Sequence, residues 1–234
     1  MKINDKGLFL YSKYFGEKSK ILYVLSKENG LVKGLSRISK AKKLNLINLD
    51  QVNFTWSSRD KDGLGFLNYE QENANDLNNY LFSIIKASAS ELCIRFLPLW
   101  EKNVDIYNDV LKLSKIERKE SFYLIGQYIN WEVNFLRNLG YGFDIETCYV
   151  SGKESATFYI SPKTGNAVSY EVGKKYSKKL FKIPLCMKNH FKNDFYDDYI
   201  DALDITYHFF CKILDKKKSN FVFRKQIYDY LKNL

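Results

Sequence analysis

Up to about residue 75 the chain alternates apolar and polar positions with a period of two, in short runs: Gly7 to Ser12, Lys20 to Ser26, Leu31 to Ser36, Gln51 to Ser57 and Leu64 to Glu70. Val52, Phe54 and Trp56 alternate with polar neighbours, and Glu28-Asn29-Gly30 and Asp60-Lys61-Asp62-Gly63 supply turn residues, so five antiparallel strands are predicted. A small closed barrel would remove their edges. From Asp76 the period becomes helical. Leu77, Leu81, Ile84, Ile85, Ala89, Leu92 and Phe96 form one stripe that Pro98 ends, a second helix is expected over Asp105 to Leu113, and a third over Glu117 to Leu139, with Gly140 as its stop. These helices are expected to bundle. Residues 141–172 are turn-rich, with one small hairpin around Tyr159 to Gly165, and helical spacing resumes near 174–182, 194–214 and 222–233. The expectation is an α+β chain in three parts: a barrel over 1–75, a helical bundle over 76–143, and a hairpin with C-terminal helices over 144–234.

Composition narrows the class. A chain of 234 residues with 45% hydrophobic residues, 12 Gly and 3 Pro is long enough and apolar enough to fold without disulfides. Its richest apolar window, Leu81 to Trp100, carries Lys86, Glu91 and Arg95, so no membrane span is expected, and nothing near Leu8 to Tyr11 reads as a secretory signal. The expected compartment is the cytoplasm. Cys93, Cys148, Cys186 and Cys211 are far apart, contain no C-x-x-C pair, and are expected to be free thiols.

The net charge of +10 is unevenly spread. Residues 1–43 hold ten lysines and Arg37 against Asp5, Glu17 and Glu28, a net of +8, interleaved with Tyr11, Tyr14, Phe15 and Tyr23. Cations displace counterions from a phosphate backbone, and aromatic faces accept unpaired bases, so this mixture suits nucleic acid. An anionic membrane surface would attract the same charge. Lys174, Lys175, Lys178, Lys179 and Lys182 form a second basic cluster, and residues 212–225 a third; both have a bland reading as solvated helix ends.

Tyr14-Phe15-Gly16-Glu17-Lys18-Ser19, then Glu28 to Gly34 and Ser36-Arg37, resemble the N-terminal signature of the RecO family of bacterial recombination mediators. Trp56, Arg59, Leu64-Gly65, Glu70, Glu91-Leu92-x-x-Arg95-x-Leu97-Pro98, Leu139-Gly140-Tyr141-Gly142 and Tyr159-Ile160-Ser161-Pro162-x-x-Gly165 continue the resemblance over nearly the whole chain, and Arg224 matches an arginine of a C-terminal helix. The resemblance implies an oligonucleotide-binding (OB) barrel, a helical bundle and a small C-terminal module. It implies DNA repair without catalysis: binding single- and double-stranded DNA, annealing complementary strands, and helping RecA replace single-strand DNA-binding protein (SSB), with RecR as partner.

Lys18, Lys33 and Arg37 sit on matched positions as expected phosphate contacts, with Lys20, Lys40, Lys42 and Lys43 beside them and Phe15 as a stacking ring. Trp56 alternates with Val52 and Phe54 and reads as barrel core. Arg95 and Arg137 are the candidate cations for the acidic SSB tail, although Asn130-Trp131-Glu132 stands where the family often has Arg-Phe-Glu, and Arg95 could instead pair with Glu91 one helical turn back. Relatives carry a four-cysteine zinc site around the hairpin, of which only Cys148 remains here, so no metal or cofactor is expected. Cys186-x-x-x-His190 and His208-x-x-Cys211 have spacings open to zinc, but ordinary packing is the preferred reading. Ser83-x-x-Lys86, the aspartates between 197 and 204, and Gly63-x-Gly65 are incomplete echoes of enzyme motifs. A general single-stranded nucleic-acid chaperone without an SSB partnership is the alternative function.

Overall fold

The structure, a computed structural model, describes the chain except residues 39–45, 61–62, 74–78, 119, 142–143, 155–156, 189–195 and 217. It divides into two compact units, Met1–Ile116 with Phe221–Arg224, and Glu117–Asn220 with Lys225–Leu234.

In the first unit, β1 (Lys2–Tyr14), β2 (Ser19–Ser26), β3 (Gly30–Arg37), β4 (Gln51–Ser57) and β5 (Phe66–Asn73) follow the predicted alternation. β1 is longer than its sequence pattern suggests because it pairs twice, with β4 over Lys2 to Leu8 and with β2 over Gly7 to Tyr14, bending at a bulge between Phe9 and Tyr11. A parallel pairing of Leu35 with Phe66 joins β3 to β5, so the order β1-β2-β3-β5-β4 closes into a barrel. Phe9, Leu22, Val24, Val52, Phe54 and Trp56 fill it.

Trp56 is 0% exposed, its indole N–H donates to the Lys33 carbonyl at 3.1 Å, and its ring meets Trp100 edge-on at 4.6 Å. Gly65 makes that seat possible. Its φ is +57°, and a Cβ there would lie 2.4 Å from the indole. At one end of the β2–β3 hairpin, the Asp5 carboxylate accepts hydrogen bonds from the Ser26 hydroxyl, the Glu28 N–H (3.0 Å) and the Asn29 amide (3.0 Å). At the opposite end Ser19 pairs with Arg37.

Helix α1 (Tyr80–Phe96) begins where the Asn79 side chain accepts the Phe82 N–H at 2.8 Å, a cap worth about 1 kcal/mol. It stops before Leu97, which the following Pro98 holds extended. α1 packs against β1, and α2 (Val104–Ser114) contacts α1. Among the described residues no helix is long and apolar enough to cross a membrane.

In the second unit, α3 (Ser121–Asn138) packs on α5 (Tyr196–Ile213). Glu132 lies between them, 0% exposed, its carboxylate accepting the Tyr128 hydroxyl at 2.6 Å and the Thr206 hydroxyl at 2.5 Å. The glutamate of the Asn-Trp-Glu sequence is thus a brace between helices. The expected hairpin is a three-stranded sheet, β7-β6-β8, from β6 (Thr157–Ile160), β7 (Ala167–Ser169) and β8 (Phe181–Lys182). The expected helix over 174–182 is replaced by the single turn α4 (Tyr170–Gly173), a 3-10 turn over Lys174–Lys179, and β8. Four lysines within six residues repel one another on any regular helix, and Phe181 gains a sheet pairing with Ile160 instead. α6 (Val222–Leu231) follows, its first residues, Val222 to Arg224, counted with the first unit and the rest with the second.

Candidate nucleic-acid interface

The register of β1, β2 and β3 decides which side chains share a surface. Phe9, Leu22 and Val24 point into the barrel, so the alternate positions face outward. Outward rows run across the three strands: Tyr11 beside Tyr23 beside Lys33, Lys13 beside Ile21 beside Leu35, and Ser19 beside Arg37. The Tyr11 and Tyr23 rings lie 6.3 Å apart. Lys33 and Arg37, four residues apart on one strand, are separated by about 13 Å along this face.

At the open end of the hairpin the remaining sequence candidates converge. The Phe15 N–H donates to the Ser19 carbonyl at 2.9 Å, and Gly16, at φ +68°, closes the turn. The Ile38 N–H donates to the Lys18 carbonyl at 2.9 Å, which places Lys18 beside the end of β3, where Arg37 stands. Tyr14 opposes Lys20, whose ammonium sits 4.7 Å above the tyrosine ring. Tyr14 is 74% and Phe15 55% exposed. None of Lys18, Lys20, Lys33 and Arg37 forms an ion pair with a carboxylate among the described residues. Lys40, Lys42 and Lys43 lie outside the described residues.

Beyond Leu35 the surface continues into a shallow groove lined by Arg59, Leu64 and the exposed ring of Phe66. Sequence reasoning counts Tyr14 among the interleaved aromatics, singles out Phe15 as the stacking ring, and misses Phe66. The signal for Tyr14 is its place opposite Lys20 in a hairpin closed by Phe15 to Lys18. Phe66 carries no such signal, because its exposure follows from the parallel seam that closes the barrel. This region can neutralise several phosphates and offer exposed rings, Tyr14 and Phe15 foremost, to bases.

The two arginines expected to hold an acidic tail each lie near a carboxylate of their own unit, and they belong to different units. Arg95 pairs with Glu91 at 3.2 Å and lies 4.8 Å over the Phe221 ring, while Glu91 also accepts the N–H groups of Val222 and Phe223, each at 3.1 Å. Arg137 lies 3.9 Å from Glu146.

All four cysteines are buried and unpaired with one another. His208 meets the Pro162 carbonyl through Nε2 at 3.1 Å and packs on Phe181 and Phe209, while the Cys186 thiol faces the Asp198 carbonyl; His190 lies outside the described residues. Burial, reinforced by the Asp198 charge, pushes the Cys186 thiol up. Burial also opposes ionisation of Cys148. There the hydroxyl and N–H of Ser151 and the N–H groups of Ser169 and Val150 outweigh it, and the thiol is held down at about 6. The Ser169 N–H donates to its sulfur at 3.3 Å. No group of three or more His, Cys, Asp or Glu suited to a metal ion occurs among the described residues.

Comparison with known proteins matches residues 1–71 to the family model described as Recombination protein O N terminal, and residues 78–193 to Recombination protein O C terminal. A curated relative from Ehrlichia chaffeensis, named DNA repair protein RecO, is 32% identical over 91% of this chain and 90% of its own length. Proteins of the same name from Wolbachia pipientis subsp. Culex pipiens and Rickettsia typhi are 28% and 26% identical, covering 92% and 100% of both chains respectively.

Proposed function

The chain belongs to the RecO family of DNA repair proteins, and from that premise we propose that it is a recombination mediator. It binds single- and double-stranded DNA, anneals complementary strands, and helps load RecA onto SSB-coated DNA with RecR in the cytoplasm. The observation that carries the reading is the outward face of β1–β3, where Lys33 and Arg37 stand in rows with Tyr11, Tyr23 and Ser19, with Lys18, Phe15 and the Lys20–Tyr14 pair at the adjoining strand ends. We read the barrel as an OB fold. Its closure through parallel contact of β3 with β5, beside an otherwise antiparallel meander, supports that assignment. Annealing needs no general base or metal; it needs two strands held with phosphates neutralised and bases accessible.

One observation favours the alternative of a nucleic-acid chaperone without an SSB partnership: Arg95 and Arg137 both sit beside carboxylates of their own unit. Fluorescence annealing of complementary oligonucleotides separates the two readings, with strands bare, coated with intact SSB, or coated with SSB lacking its acidic tail. The mediator reading expects coated strands to anneal only when the tail is present. Annealing of bare strands alone makes the protein a chaperone and removes SSB from its partners.

A further inference from the structure

The second unit carries a basic and aromatic surface that the barrel face does not account for. Between Tyr170 and Lys182 stand five lysines, Lys174, Lys175, Lys178, Lys179 and Lys182, against Glu171 alone. The first four fall on the 3-10 turn, all exposed. With three residues per turn and a rise near 2 Å, Lys175 and Lys178 line one side of this turn, about 6 Å apart along its axis, and Tyr176 and Lys179 line the next. Tyr176 is 61% and Tyr170 47% exposed, and the Lys174 ammonium lies 5.6 Å over the Tyr170 ring. None of the four lysines forms an ion pair with a carboxylate among the described residues.

The turn is also fixed at both ends. Gly173 sits against the Tyr159 ring so closely that a Cβ would lie 2.4 Å from it, and Phe181 pairs with Ile160 on β6. A solvated lysine run needs neither anchoring nor rings, and among the described residues Lys174, Lys175, Lys178 and Lys179 have no carboxylate partner, whereas Lys182 lies in the field of Asp201. An acidic peptide would call for an apolar groove beside the cations. Cations interleaved with exposed tyrosines fit a nucleic-acid strand better, through phosphate contacts and stacking.

We propose that the lysine turn at Lys174–Lys179, with Tyr170 and Tyr176, is a second single-strand site, which holds one strand while the barrel face holds its complement. This inference rests on the mediator reading for the barrel. It supplies what annealing requires: one chain presenting two strands rather than one.

The test compares the intact protein, a K174Q/K175Q/K178Q/K179Q variant, and a K18A/K33A/R37A barrel variant. The probe is a labelled oligothymidylate of about 10 nucleotides, a length suited to one small site. Titration of the intact protein is expected to show two oligonucleotides per chain. The lysine-turn variant is expected to keep the barrel event, lose the other by roughly tenfold or more in affinity, and anneal complementary strands more slowly. The four lysines are exposed and repel one another, so the variant is expected to melt at or above the parent's midpoint, and the melt controls for folding. The proposal is overturned if the intact protein binds one oligonucleotide, or if the variant keeps both binding and annealing. It is equally overturned if the variant loses affinity only for an acidic peptide, which would make the turn a protein-docking surface. If the intact protein and the barrel variant both bind two oligonucleotides while the lysine-turn variant binds one, the barrel reading falls and the lysine-turn site stands.

Discussion

At the scale of single residues, Trp56 and Tyr14 separate packing from stacking. Trp56 is fully buried against Gly65 and Trp100, so Trp56→Ala is expected to cost about 3–5 kcal/mol in urea unfolding. Tyr14 stands 74% exposed on the open hairpin, so Tyr14→Ala should move stability by less than about 0.5 kcal/mol. The same substitution should weaken single-strand binding by about 1–3 kcal/mol in an anisotropy titration. A Tyr14→Ala protein that binds as well as the parent removes this ring from the interface. Cys148 gives a pH signature. Its thiol is held at about 6, below the ordinary thiol range, so between those limits the folded chain binds fewer protons than the unfolded one. Stability therefore rises with pH across that window and is lost as pH falls through 6. Unfolding midpoints of the parent between about pH 6 and pH 8.5 should climb relative to Cys148→Ala, and parallel curves would show that the donors around the sulfur do not favour its ionised form.

At the scale of elements, Glu91 joins α1 to the start of α6. Its carboxylate takes two N–H groups of the first α6 turn and the Arg95 guanidinium, so Glu91→Gln is expected to destabilise by about 1 kcal/mol. Arg95→Ala removes the partly exposed ion pair and the cation–π contact with Phe221, and is expected to cost a similar amount, about 1 kcal/mol. Measuring both variants by denaturant midpoint and by binding of an SSB tail peptide separates support from recognition. If Arg95→Ala leaves tail binding intact, the arginine belongs to the helix junction alone. The possible pairing with Glu91 was legible from a spacing of four residues on one helix, whereas the bond from Glu91 to Val222 spans 131 residues and no local pattern announces it. The strands were legible for a similar reason: alternation is local, and Val52, Phe54 and Trp56 keep it wherever the sheet closes. The extent of β1 was not, because its first half is held by β4, far along the chain. Residues 174–182 misled because helical spacing of lysines satisfies a pattern without supplying a face to bury, and the pairing of Phe181 with β6 decided the outcome.

At the scale of the whole molecule, the net charge of +10 makes any affinity for DNA a function of salt, and the useful question is where the released counterions come from. The convergence of Lys18 with Arg37 and the outward row ending in Lys33 were only partly legible: the residues were visible in sequence, but their common surface depends on the hairpin register. If that surface tracks one strand, each phosphate contact contributes about 0.7 to the slope of log affinity against log salt for single-stranded DNA. K18A/K33A/R37A should then flatten the slope by about 2 and weaken binding across all sequences to a similar degree, because phosphate contacts carry no sequence information. The three side chains are exposed or half-buried and hold no carboxylate among the described residues, so the thermal midpoint should not move with them. A lowered affinity with an unchanged slope would mean that these cations act on the shape of the hairpin and not on the strand, and the phosphate path would have to be sought on another face.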